Sequence, residues 1–398
     1  MTGNSATMMN DRQTGLALYV HWPFCISKCP YCDFNSHVRA DIDDQAWAKA
    51  LLADMAYEAG LTPDGLVHSI FFGGGTPSLM PPALVARLID AAGQHWGFTD
   101  DVEITLEANP SSVEAARFGD LAAAGVNRVS LGLQSFDDAA LRFLGRAHGA
   151  EEGLAALGVA QQNFERVSFD LIYALPDQTL DQWRAMLQRA LDQDTGHLSL
   201  YQLTIEPNTR FASDVRRGLF DPMDGDRAAD FYALTEEMTH AAGLPAYEIS
   251  NHARPGEESR HNLTYWRYGD YIGIGPGAHG RRLQEATERH KKPENYLSAV
   301  ARNGRGIKTS RHLAPREAAS EALMMGLRLT EGVDLAMLAA RFGLSKSDII
   351  DRQKLAMLND MGLCEAKNDH IRVVRKAHIL LDTIIAELAV FEEVEVAS

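Results

Sequence analysis

Cysteine is scarce in this chain, with four among 398 residues, and three of the four are crowded between positions 25 and 32. Thiols that close together cannot staple a fold of this length, which excludes a disulfide framework and points to a reducing compartment. Long apolar runs are missing as well. Even "HILLDTIIAELAV" is interrupted by Asp382 and Glu387, so no stretch reads as a bilayer span and an integral membrane protein is not expected. Positive charge is outweighed, 38 Lys and Arg against 54 Asp and Glu for a net charge of -16. Broad electrostatic attraction to nucleic acid or anionic lipid is therefore not expected. The opening MTGNSATMMNDRQTG has neither a basic segment nor an apolar one to act as an export signal, and reads as a flexible arm over 1–15. A cytoplasmic protein is the expectation. Hydrophobic content of 45% with 23% charged residues suits a packed core, and the length suits one large domain plus a smaller one.

Short β-rich runs alternate with helical patterns over the first two thirds. "LALYVHW", "HSIFFGG", "VEITLEA", "VNRVSLGLQ", "VSFDLIYAL" and "HLSLYQLTI" are dense in branched and aromatic residues and predict strands. Between them, Trp47, Leu51 and Met55, then Leu84, Leu88 and Ala92, recur at helical steps. Repeated βα units demand a parallel sheet covered by helices. "LPAYEISNHA" suggests a further strand, and the stretch from Gly256 to Gly280 loses its period and reads as a long functional loop with strand pieces. From about Arg311 helical spacing returns, and "HIRVVRKAHIL" adds a small strand and a last helix, which together suggest a winged-helix-like module. Cys364, in a helical stretch, reads as a small buried hydrophobe without a ligand role.

The clustered thiols, in "CISKCPYC", are soft ligands on one loop, the donor set of one face of an iron–sulfur cluster or of an incomplete zinc site. Structural zinc takes four protein ligands, and no second Cys or His pair completes this one, although His21 and His37 flank the loop. Three ligands on a [4Fe-4S] cluster leave one iron open.

With that spacing, directly after a first strand, "CISKCPYC" resembles the signature of the radical S-adenosylmethionine superfamily. The resemblance implies that Cys25, Cys29 and Cys32 hold a [4Fe-4S] cluster whose fourth iron takes the amino and carboxylate groups of S-adenosylmethionine. In that superfamily an electron from the cluster cleaves the sulfonium to a deoxyadenosyl radical. It also implies an α/β fold, a partial (β/α) barrel over 16–310 carrying the loop region, with a smaller, mainly helical, winged-helix-like domain over 311–398. In β/α barrels ligands gather at the C-terminal strand ends, where this sequence has "GGGTP" after the second strand, Glu107 at the end of the third and Gln134 at the end of the fourth, with Asp170 inside the fifth. Carried over by position, the contacts to S-adenosylmethionine are Tyr19, Tyr31, Gly74, Gly75, Thr76, Glu107, Gln134, Arg146 and Asp170, with Thr204 and His279 as weaker candidates.

"YVHWPFC", "CPYCDFNS", "FFGGGTPS", "LEANP", "SLGLQSF", "DLIYALPDQT" and "HNLTYW" together are similar to the HemW-type haem chaperones, relatives of the oxygen-independent coproporphyrinogen III oxidase of porphyrin biosynthesis. The oxidase has a further cysteine two positions after the third, where this chain has Phe34, and a longer arm before the first strand. Both differences favour the chaperone branch. The resemblance implies haem binding, with His261 of "HNLTYW" as iron ligand and Tyr265 and Trp266 against the porphyrin; Arg260 and Arg267 nearby either meet the propionates or are simply solvated. It implies delivery of haem to acceptor proteins, respiratory membrane proteins among them, and a reductant such as flavodoxin or ferredoxin. It assigns no catalytic residue and does not require turnover; coproporphyrinogen oxidation is the enzymatic alternative, and a zinc-stabilised scaffold the non-redox one.

Overall fold

The computed structural model describes residues 15–39 and 41–390, so most of the N-terminal arm and the acidic tail "FEEVEVAS" lie outside the described residues. Six strands run through the first half: β1 (Leu16–Trp22), β2 (Val67–Gly74), β3 (Phe98–Ala108), β4 (Arg128–Gln134), β5 (Arg166–Tyr173) and β6 (His197–Gln202). Each lies parallel to the next in chain order. They coincide with the six runs named above. β1 and β5 are buried along nearly their whole length, as parallel strands covered on both faces must be. The helices Asp44–Leu61 and Pro82–Trp96 form on the predicted periodicity and bury Trp47, Leu51, Met55, Leu84, Leu88 and Ala92.

The sheet is wider than the six runs. β7 (Asn251–Ala253) closes one edge antiparallel to β6, a much shorter strand than "LPAYEISNHA" suggests. On the other side of β1 lies β8 (Tyr271–Ile274), parallel to it, followed by antiparallel β9 (His279–Arg282), β10 (Glu285–Arg289) and β11 (Ile307–His312). The resulting 11-stranded order, β11-β10-β9-β8-β1-β2-β3-β4-β5-β6-β7, is an open, partial barrel.

The stretch from Gly256 to Gly280 is therefore more ordered than a functional loop. Ser259, fully buried, caps the helix Arg260–Trp266 by accepting the Asn262 N–H, and "YIGI" is a strand at the centre of the sheet. The helix escapes the period search because it is seven residues long and carries Asn262 and Thr264, poor helix formers.

A buried ionic clip ties the antiparallel flap to the first helix. Arg289 meets Asp54 at 3.3 Å and Glu58 at 2.6 Å, and Arg282 meets Glu58 at 2.6 Å. The Tyr296 hydroxyl and the Gly306 N–H donate to Asp54 at 2.9 and 3.0 Å, so the buried carboxylate is fully engaged.

After His312 the chain forms a helical C-terminal domain, with helices Pro315–Gly326, Leu335–Phe342, Arg352–Asp360 and Leu381–Leu388 around a small sheet of Val333–Asp334, His370–Val373 and Cys364–Lys367. The main sheet continues through His312, two residues beyond the expected division at 310. Cys364 is buried as expected, though on a strand and not in a helix.

Candidate functional site

Beyond β1 the chain turns into the cysteine loop, which a parallel pairing of Phe24–Cys25 with His37–Val38 closes at its base. Cys25, Cys29 and Cys32 are free, partly exposed thiols, and all three line a cavity of about 390 Å³. Two donors reach their sulfurs: the Thr76 hydroxyl lies 3.4 Å from Cys25 Sγ, and Arg146 Nη1 lies 3.4 Å from Cys29 Sγ. Burial pushes the Cys25 and Cys32 thiols up, an opposition that bonding to a cationic cluster would remove.

A single zinc ion suits this loop less well. Among the described residues no three His, Cys, Asp or Glu side chains are gathered as one metal ion requires. His21 is spoken for: its Nε2–H donates to the Asn35 carbonyl at 2.9 Å, and its Nδ1 accepts from the Tyr19 hydroxyl at 2.9 Å. A cube of iron and sulfide, wider than one ion, matches a set of thiols spread along a loop.

The strand ends supply the far wall. Gly74 adopts φ of 114° and Gly75 lies so close to the loop that a Cβ there would stand 2.6 Å from the Phe24 carbonyl oxygen. Only glycine permits both, and the loop is thereby seated with the Gly75 and Thr76 N–H groups donating to the Trp22 and Phe24 carbonyls. The Gly74 N–H donates to Glu107 Oε2 at 3.2 Å. Arg146, released from its short helix at Gly145, spans the cavity and donates to Asn109 Oδ1 at 2.7 Å and to the Gly132 carbonyl at 2.9 Å. Asn109, two residues past Glu107 in the "LEANP" run, is held in turn by Glu114. Burial, reinforced by the neighbouring Asp170 carboxylate, lifts Glu107 to about 8; burial lifts Asp170 to about 6 against hydrogen bonds from Ser199 and Ser130. Two polar atoms, Gln134 Oε1 and Arg146 Nε, are buried at this wall without a partner. Uncompensated carboxyls and orphaned polar atoms mark a site built for a polar, cationic guest.

Every expected S-adenosylmethionine contact except Tyr19 lines this cavity. Tyr19 and His279 line a second cavity of about 750 Å³ instead, and Thr204 is exposed and lines neither. Lys28, Phe34, Ser36, Gly74 and Glu107 belong to both cavities, so the two share a wall.

The second cavity carries aromatic and imidazole groups: Tyr19, Phe71, Tyr265 and Tyr271, with His21, His37, His261 and His279. His261 sits on the helix Arg260–Trp266, 1% exposed, its Nδ1 hydrogen-bonded to Ser69 Oγ at 3.1 Å and its Nε2 to the Tyr265 hydroxyl at 2.8 Å. Phe71 stacks on its ring at 5.0 Å, and burial lowers its pKa to about 3, so the imidazole is neutral. Its backbone N–H donates to Glu103 Oε1 at 3.2 Å, and Glu103 is itself held by Arg166 at 2.6 Å.

The neighbours expected to join it do not all do so. Trp266 packs with Tyr247 and Leu329, away from the cavity, because on a helix the residue next to Tyr265 points elsewhere. Arg260 pairs with Asp101 and Arg267 with Glu331, so neither arginine is free for a propionate. The cations that do line the cavity are Lys28 and Lys291, which nothing in the "HNLTYW" pattern signals.

A family model described as the radical SAM superfamily matches residues 19–190, and one described as the HemN C-terminal domain matches residues 313–380. The chain is 37% identical to the heme chaperone HemW of Escherichia coli over 93% of its own length and 97% of that protein's. It is 42% identical to the mitochondrial radical S-adenosyl methionine domain-containing protein 1 of Mus musculus, covering 80% and 74%. Among solved structures, one described as coproporphyrinogen III oxidase (HemN) from Escherichia coli, a radical SAM enzyme, superposes with a TM-score of 0.80 at 24% identity, covering 94% of this chain and 90% of that one. The last likeness speaks to the fold.

Proposed function

Since this chain belongs to the radical SAM superfamily and, within it, to the family of the heme chaperone HemW, we propose that it binds haem in the second cavity and passes it to acceptor proteins. Respiratory proteins of the membrane are the acceptors we favour, with the chain itself acting from the cytoplasm. Among the described residues no helix is long and apolar enough to cross a membrane. Cys25, Cys29 and Cys32 would hold the superfamily's [4Fe-4S] cluster, and Gly74, Gly75, Thr76, Glu107, Gln134, Arg146 and Asp170 would surround S-adenosylmethionine. When bound and reduced, by a flavodoxin or ferredoxin, the cluster supplies one-electron chemistry at the sulfonium. The chain's own groups do the rest: Arg146 bridges the cysteine loop and the strand ends, the glycines admit backbone contacts, and Glu107 and Asp170 offset positive charge.

The observation that carries the reading is the shared wall. A large cavity walled by Phe71, Tyr265, Tyr271 and neutral His261 stands directly behind Glu107 and Gly74. Aromatic walls, imidazoles and the flanking Lys28 are what a flat macrocycle with iron and carboxylates calls for. Occupancy of one cavity is thereby in position to alter the other, and turnover is not required.

Titrating haem into anaerobically reconstituted protein, with and without S-adenosylmethionine, tests this, followed by transfer to a haem-free acceptor. Stoichiometric binding and transfer are expected. Vinyl product formed from coproporphyrinogen under reducing conditions would replace the chaperone reading with that of the oxidase.

A further inference from the structure

If haem enters the second cavity, the iron must find a nitrogen with a free lone pair, and the four imidazoles there are not equivalent. His21 has both ring nitrogens engaged, by Tyr19 and by the Asn35 carbonyl. His37 holds Asn35 Oδ1 through Nε2 at 3.3 Å and rests on the Lys291 carbonyl. His261 is buried, with Ser69 on Nδ1 and Tyr265 on Nε2. His279 alone is exposed and makes no side-chain hydrogen bond among the described residues.

Its backbone is nevertheless fixed. His279 pairs with Glu288 across β9 and β10, and β8 packs so tightly on it that a Cβ on Gly273 would stand 1.9 Å from the His279 carbonyl oxygen. With the strand end rigid, only the rotation of the ring itself remains to be fixed when iron binds. Lys291, paired with Glu288 at 3.4 Å, lies on the same rim.

We propose that His279 is the imidazole that first takes the haem iron, and that His261 becomes the second axial ligand only when Tyr265 releases its Nε2. One iron–nitrogen bond forms at each step, the His261–Tyr265 hydrogen bond breaks at the second, and no electron is transferred. Tyr265 then acts as a latch whose closing returns the haem to single ligation, ready to leave. This inference rests on the haem reading above.

The test is a titration of ferric haem, followed by the Soret band, into reconstituted wild type, His279→Ala, His261→Ala and Tyr265→Phe proteins. The expectation is that His279→Ala loses about tenfold or more in affinity and shifts the band. His261→Ala should keep the first binding step while losing the six-coordinate spectrum, and Tyr265→Phe should enrich that spectrum. Should His279→Ala disturb the fold, as judged by cluster iron content, His279→Met keeps the bulk and exchanges the donor atom, so a changed spectrum still reports ligation. Wild-type affinity and spectrum in both position-279 variants would overturn the inference and leave haem binding standing. Failure of the wild type itself to bind haem would overturn the haem reading, and this inference with it.

Discussion

Binding of S-adenosylmethionine should expel a proton, and Glu107 is the group that loses it. In the free protein burial and the Asp170 carboxylate hold Glu107 at about 8, against an ordinary value of 4.5. Near neutral pH it is therefore mostly protonated. A sulfonium entering the same cavity favours the carboxylate and draws its pKa back down. A full return, about 3.5 units, corresponds to about 5 kcal/mol, a ceiling because Glu107 is partly open to water in the cavity. The raised value makes the free protein bind more protons folded than unfolded, so its stability falls as pH rises from 4.5 to about 8. Ligand affinity runs the other way, climbing by up to about tenfold per pH unit across that window and levelling above it. At pH 7 about 0.9 proton should leave Glu107 for each ligand bound, beside any proton shed by the nucleotide's own amine on ligating iron. Calorimetric titration in buffers of differing ionisation heat counts those protons, and Glu107→Gln should lower the count by about 0.9 at pH 7 and reduce the pH dependence of affinity. A count near zero in the wild type, with affinity indifferent to pH, would refute the reasoning.

Three further outcomes follow from the geometry. Gly75→Ala forces a methyl against the Phe24 carbonyl oxygen at 2.6 Å, so the cysteine loop must shift; cluster iron per chain after reconstitution should fall while the circular dichroism stays unchanged. Arg146→Met removes the donor to Cys29 and the bridge to Asn109 and Gly132, and should weaken S-adenosylmethionine binding by about tenfold or more while the cluster still assembles. Arg289→Leu leaves buried Asp54 without its cation and Glu58 with Arg282 alone, which should cost about 3–5 kcal/mol in urea unfolding.

Much of this was legible in sequence because local chemistry and global position agree. The six parallel strands are runs dense in branched and aromatic residues, β2, β3 and β4 carry Gly74, Glu107 and Gln134 at their ends into the first cavity, and the C-x-x-x-C-x-x-C spacing states its own ligand set. What escaped detection depends on long-range packing. β8 is four residues flanked by glycines, too short to show a period, and it joins the sheet beside β1 from some 250 positions away. Tyr19 alternates onto the face that meets the second cavity, a consequence of strand register that a motif match does not carry. Trp266 is one step off the face that Tyr265 presents. Asn109 was within a quoted run and its proximity to Glu107 was a usable signal, whereas Lys28 and Lys291 come together only through the fold.

The function of both cavities depends on how the iron is held. Mössbauer spectra of iron-57-reconstituted, oxygen-free protein, recorded before and after S-adenosylmethionine is added, test this most directly. Three irons bound by Cys25, Cys29 and Cys32 and a fourth whose signal alone changes with the nucleotide are predicted. Four irons that ignore the nucleotide, or a protein that assembles no cluster, would contradict it.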